Sequence, residues 1–226
     1  MSEYRHEDGI AHVSLDDGKV NAIGIVALAD VNAHLDHAIR DDAAAVVISG
    51  RDGVFSAGFD LKELRSGDAA RESLRRQLID LELRIFSFER PVIVACSGHA
   101  LAAGAALLLA ADRRIGLDGP FNLGFTEAKL GVSLSPATVE LARYRMPMPW
   151  FESLVSGDTF SPHEAQRAGL LDEVVRNGNR LAELSRTVAE QLSAIPRHAF
   201  LELRRLARAP TTAVMRAELQ RLSASP

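Results

Sequence analysis

Gly98-His99-Ala100-Leu101-Ala102-Ala103-Gly104-Ala105-Ala106 follows an unbroken apolar run, Val92–Cys96, and opens a stretch that stays small and apolar as far as Ala111. A continuous apolar run of that length reads as a strand buried on both faces. The glycine and alanine string after it reads as a turn running into a tightly packed helix. Working outward, the same arrangement occurs once more upstream. Ala44–Ser49 reads as a buried strand stopped by Gly50, and Phe55-Ser56-Ala57-Gly58-Phe59-Asp60-Leu61-Lys62-Glu63-Leu64 begins as a turn and continues into a short helix. Between the two, Asp68 is placed to cap a helix whose Leu74, Leu78, Leu81, Ile85 and Phe88 form one stripe, with Pro91 ending it. Toward the N-terminus, Tyr4–Glu7 and Ile10–Leu15 are joined through Asp8-Gly9, a hairpin signal, and Leu28, Val31, Leu35 and Ile39 mark a helix face. Arg114–Leu117 reads as a strand, and Phe121–Leu130 as a mixture of strand and turn.

After Pro136 helical patterns prevail, with Pro147, Pro149, Pro162, Pro196 and Pro210 expected to interrupt them. Ser161-Pro162-His163-Glu164 has the capping-box spacing, and Leu171–Val175 reads as one last short strand. The fold class is therefore α/β: alternating strands and helices over residues 1–135, then a mostly helical region over 136–226. Two apolar stripes in that region, Leu181/Leu184/Val188/Leu192 and Met215/Leu219/Leu222, must be buried, within the chain or against another copy.

Composition narrows the function. The chain of 226 residues is 47% apolar and carries a formal charge of −4, which disfavours a general nucleic-acid binder. Its one cysteine, Cys96, permits no internal disulfide and no multi-cysteine zinc site, and fits a reducing cytoplasm. The first residues lack a leader pattern, and the longest apolar run, Ala100–Ala111, is too short to span a bilayer, so no membrane partner is expected.

The two strand-to-helix segments also carry the chemistry. The first amides of a helix lack carbonyl partners, and its dipole adds positive charge there. Two such starts aimed at one point would stabilise an oxyanion, and small residues admit a ligand to the backbone. From spacing alone, ordinary tight turns are the better reading of both strings.

The string FSAGFDLKEL resembles the first signature of the crotonase (enoyl-CoA hydratase/isomerase) superfamily, GHALAAGAALLLAADRRIG its second, and GFTEAKLGVSL the segment bearing the family's glutamate. Lys19-Val20-Asn21-Ala22 is similar to its N-terminal substrate loop. The resemblance implies a crotonase-type spiral of ββα turns with a C-terminal helical region, assembled as a homotrimer or a dimer of trimers. It implies an acyl-CoA thioester substrate, coenzyme A being part of that substrate rather than a cofactor, and no metal. The backbone N–H groups of Phe59 and Ala103 match the oxyanion-hole positions, and Lys19, Ala22, Ala57, Asp60, Leu61 and Lys62 match substrate- and CoA-binding positions. The family usually has glycine at Ala102 and Ala103; each methyl narrows the approach of the thioester.

The family's hydratases use two glutamates. The first falls on Ala106, which transfers no proton, and the second on Glu127. One carboxylate suits a 1,3-proton shift between C2 and C4 of a 3-enoyl thioester, the pattern of the monofunctional enoyl-CoA isomerases. Phe125, Leu130 and Val132 are expected to form an apolar surround that lifts the Glu127 pKa. A hydratase with a substitute acid and a non-catalytic acyl-CoA-binding protein are the rival readings. Leu134-Ser135-Pro136 replaces the family's usual proline and glycines behind the glutamate. His99 reads as a turn or packing residue, Asp60 and Asp112 as holding turns and helix starts. Arg71, Arg75, Arg76 and Arg84 read as a solvated helix face. Arg204, Arg205 and Arg208 read either as another solvated face or as contacts to CoA phosphates bound by a neighbouring subunit.

Overall fold

The computed structural model describes residues 2–224. The strands are β1 (Ser2–Glu7), β2 (Ile10–Leu15), β3 (Ala22–Ile23), β4 (Ala45–Ser49), β5 (Gly53–Ser56), β6 (Gly58–Phe59), β7 (Val92–Cys96), β8 (Gly98–Leu101), β9 (Arg113–Leu117), β10 (Leu123–Gly124), β11 (Thr159–Phe160) and β12 (Glu173–Val175). The helices are α1 (Ile25–Arg40), α2 (Leu61–Leu64), α3 (Asp68–Phe86), α4 (Ala103–Ala110), α5 (Pro136–Arg145), α6 (Met148–Val155), α7 (Pro162–Arg167), α8 (Gly178–Ser193) and α9 (Arg197–Ala224).

A large sheet runs β1-β2-β4-β7-β9-β12, and a smaller one runs β11-β10-β8-β5. Three successive pairs, β4/β5, β7/β8 and β9/β10, each place one strand in the large sheet and the next in the small one. Both members advance one position per pair, all in parallel register. That progression is the spiral. Strands from both halves of the chain take part, since β11 pairs antiparallel with β10 and β12 parallel with β9.

Side chains alternate across the large sheet. Val13, Val46, Ile48, Val92 and Val94 face the main core with α1, α3 and α4, whereas Ile10, Val47, Ile93 and Ile115 face α8 through Leu181, Val188 and Ala189. The first tail stripe is thus buried inside the chain. This double burial explains why β4 and β7 read as unbroken apolar runs.

Local expectations hold in most elements and fail in instructive ones. Ser161 and Glu164 form the capping box of α7. Asp68 does not cap α3; Gly67 does, and Asp68 is its first residue, where a carboxylate favours the helix dipole. Phe55–Leu64 carries two short strands before its helix rather than a turn. Pro210 does not break α9, which runs unbroken over 28 residues. Proline removes one ladder bond. Side chains hold both halves of the helix: Arg204 and Arg208 bind Asp112 on one side, and Met215, Glu218 and Leu222 are buried on the other.

Arg84 is not part of a solvated face, because it clasps α1 through Asp36 and the Asn32 carbonyl. Nor do Arg204 and Arg208 face solvent or a ligand. Both are buried on Asp112, whose other oxygen interactions include the Val92 amide at 2.8 Å; Arg205 alone is exposed, paired with Glu202. Arg208 also donates to the Phe86 carbonyl and lies 4.2 Å from the Phe86 ring centre. Asp112 therefore joins α9 to the sheet. Asp112→Ala is expected to lower unfolding free energy by about 3–5 kcal/mol, because two guanidinium groups would lose their shared buried counter-charge. Urea denaturation of the two proteins measures it.

Candidate functional site

Backbone contacts converge where β6 meets α4. β3 pairs in parallel with β6, Ala22 opposite Gly58 and Ile23 opposite Phe59. The Asp60 amide donates to the Ile23 carbonyl at 3.0 Å. Amides alternate sides along an extended strand, so the Phe59 N–H faces away from β3. A Cβ built on Gly58 would stand 2.7 Å from the Ala102 Cβ, 3.1 Å from the Leu101 carbonyl oxygen and 3.5 Å from the Ala103 nitrogen. Two main chains approach here as closely as the absence of a side chain allows, which brings Phe59 beside the start of α4.

Ala102 caps α4 with φ 52° and ψ −123°, and its carbonyl accepts from Ala106 at 3.0 Å. Ala103 is the first helical residue, so its amide is one of the donors that the helix leaves without an internal partner. Gly104 presses on β5, where a Cβ would stand 2.7 Å from the Ser56 carbonyl oxygen.

The remaining expected residues gather on the same side. Lys19 is exposed in a loop, its amide bonded to Asp17 at 2.7 Å and its carbonyl to Arg51 at 3.1 Å. Ala57 donates to the Val20 carbonyl at 3.0 Å. Asp60 caps α2 by accepting from the amides of Lys62 and Glu63 at 2.7 and 3.2 Å, which leaves the Leu61 and Lys62 side chains exposed.

The segment that carries Glu127 follows β10, which pairs with β8. The Ala102 amide donates to the Gly124 carbonyl at 2.9 Å, so Glu127 follows three residues beyond a direct tether to the start of α4. Its carboxyl is largely enclosed, and Oε2 is buried with no hydrogen-bond partner. Burial pushes its pKa above the ordinary carboxylate value, an effect moderated by the amides of Glu127 and Thr126. Only part of the expected surround exists: Phe125 is buried, but Leu130 and Val132 are 73% and 56% exposed. Leu130 ends the turn Ala128–Leu130, and Val132 follows it across Gly131, φ 71°. Ala106 is buried in α4 among apolar neighbours. His99 has a packing role: its Nδ1 accepts from the Asn122 amide at 3.0 Å, which places any neutral-ring proton on Nε2, and Phe121 meets it edge-on.

Two organising residues escaped the sequence reading. Asn21, at φ 51°, donates from Nδ2 to the carbonyls of Leu15 and Phe55 at 2.8 and 3.1 Å. Buried Ser56 donates to the Asn21 carbonyl at 2.7 Å and accepts from the Gly58 amide at 3.1 Å. Together they lock the loop that ends at Asn21 to β5 and β6. The available signals were an asparagine in a tight loop and a hydroxyl between apolar residues.

Residues 5–223 match the family profile Enoyl-CoA hydratase/isomerase. A probable enoyl-CoA hydratase of Mycobacterium avium is 33% identical over 206 residues, 88% of this chain and 78% of that protein. The crystal structure of an enoyl-CoA hydratase/isomerase family protein from Pseudomonas syringae superposes with a TM-score of 0.94 at 38% identity, covering 97% of this chain and 95% of that one. The apo structure of the Mtb enoyl-CoA isomerase gives 0.93 at 32% identity, covering 100% and 98%.

Ala102 occupies backbone space that favours glycine. Ala102→Gly is expected to raise unfolding free energy by about 1 kcal/mol. Gly104→Ala should lower it by more, because its methyl must displace the main chain of Ser56. Denaturant titration of both variants measures the two effects.

Proposed function

The chain belongs to the enoyl-CoA hydratase/isomerase family, and from that premise we propose that it is an enoyl-CoA isomerase-type enzyme shifting a proton between C2 and C4 of a 3-enoyl-CoA thioester. One observation carries the reading: Glu127 is the single carboxyl at the family's two acid positions, with a buried, unpartnered oxygen, while Ala106 fills the other position.

In this mechanism the thioester oxygen lies between the Phe59 and Ala103 amides. Their dipoles, with the N-terminus of α4, stabilise the charge that develops as C2 loses its proton. Glu127 takes that proton and returns it at C4, so the double bond moves without gain or loss of atoms. The raised pKa makes Glu127 a stronger base than an exposed carboxylate while leaving it ionised above that pKa. Lys19, Ala22, Ala57, Asp60, Leu61 and Lys62 form the approach for the CoA portion; the pairing of β3 with β6 supports this by placing both segments together. We propose that copies of the chain associate as a homotrimer or a dimer of trimers. The support is the exposed apolar face of α9 at Leu203, Leu206 and Val214.

Hydration of a 2-enoyl thioester is the second reading, favoured by the name of the Mycobacterium avium relative. Glu127→Gln is expected to reduce isomerisation of a 3-enoyl-CoA by at least about 10³-fold while leaving CoA-ester affinity within about threefold. Wild-type turnover should fall as the medium is acidified through the raised Glu127 pKa, above the usual carboxylate range. Hydration of 2-enoyl-CoA outpacing isomerisation would contradict the first reading.

A further inference from the structure

The apolar stripe of α3 contains a carboxyl. Glu82 lies between Leu81 and Ile85 on the buried face and is fully enclosed. Its hydrogen-bond partner is Thr138, whose Oγ1 donates to Oε1 at 3.1 Å and lies 3.4 Å from Oε2. Thr138 is in turn 2.9 Å from the Ser135 hydroxyl, which caps α5 by accepting the Thr138 amide. The residue before it, Ala137, donates its amide at 2.6 Å to a second buried carboxyl, Glu218 of α9. Two acids from two helices thus grip consecutive residues at the start of one helix. That start follows directly on the loop that begins at Glu127, and Arg75 of α3 touches the Leu134 carbonyl in between at 3.4 Å.

We propose that Glu82 is held protonated beside Glu218 and acts with it as a pH-dependent latch that seats the N-terminus of α5, and the loop behind Glu127, on α3 and α9. The surroundings assign the proton. Glu218 accepts an amide at the positive end of α5 and has Arg221 at 3.9 Å, so a donor and a cation both face its oxygens. Glu82 has neither an amide nor a cation, so it is the neutral member. Facing groups from α5 are Ser135, Thr138 and Glu140, the last engaged with Arg143 and Thr211; from α9, Glu218, Arg221 and Thr211; from α3, Arg75. Every residue of α4 is alanine, glycine or leucine. Burial, reinforced by the charge of Glu218 and offset in part by Thr138, pushes the Glu82 pKa up to about 8. Ionising it sets a second negative charge beside Glu218 in a dry interior.

The sign follows from linkage. A carboxyl that stays protonated in the fold and ionises when unfolded, at 4.5, makes stability fall as pH rises from there to about 8 and level off beyond. Glu82→Gln keeps a neutral side chain of the same size and removes this titration, while all other groups cancel in the comparison. Melting temperatures of wild type and Glu82→Gln from pH 5 to 9 test the latch. The difference, variant minus wild type, should climb by roughly 5 °C or more up to about pH 8 and then stay level. Glu218→Gln, which removes the repelling charge, should show a smaller climb confined to the upper end of that window. Curves that stay parallel for Glu82→Gln overturn the latch. If Glu82→Gln does not fold, a Glu218→Gln curve parallel to wild type overturns it equally.

Discussion

A helix begins with amides that have no carbonyl within the helix to receive them, and a buried helix start must give those amides something to bind. At the start of α4 this constraint organises the whole molecule. Ala102 satisfies its own amide on Gly124 and thereby ties in the segment that leads to Glu127. Gly104 draws β5 against the helix, and Gly58 lets β6 arrive beside Ala103. The spiral sets β5 beside β8 in the small sheet, and β8 leads directly into α4. An anionic oxygen is the natural partner for the first amides of a helix, and the proposed chemistry uses those donors.

The strand-to-helix junctions were legible because each is written in local chemistry: an apolar run for a doubly buried strand, then glycine and alanine where main chains touch. Fold class, the buried strands β4 and β7, the stripe of α3 and the α7 capping box all come from periods and caps that depend on a few neighbouring residues. What was not legible depends on partners far apart in sequence. Glu82 sits in an apolar stripe at helical spacing, and nothing nearby announces that Thr138 and Glu218 will meet it. Arg204 and Arg208 look like a solvated face until Asp112, about ninety positions away, draws them inward. Leu130 and Val132 appear apolar and near the candidate base, yet they flank the left-handed Gly131 at the end of a surface turn and are exposed. Pro210 carries a local helix-breaking signal, and the long-range docking of α9 overrides it.

The departures from the family's pattern point one way. On the proposed reading, the Ala102 and Ala103 methyls narrow the approach to the two amides, and Ala106 leaves one acid of the family's two. That reading favours chemistry that needs charge stabilisation and one mobile proton over chemistry that must also hold and activate water. The buried carboxyls Glu218 and Glu82 extend the theme, since they bind consecutive residues, Ala137 and Thr138, at the start of the helix that follows the Glu127 segment.

The central claim is that two main-chain amides polarise a thioester carbonyl. The ¹³C resonance of a carbonyl-labelled enoyl-CoA bound to the protein measures this directly, because the shift reports electron withdrawal at that carbon. The account expects a clear downfield displacement on binding, retained in Glu127→Gln, whose amides are unchanged. A bound resonance at its free-solution position would contradict it.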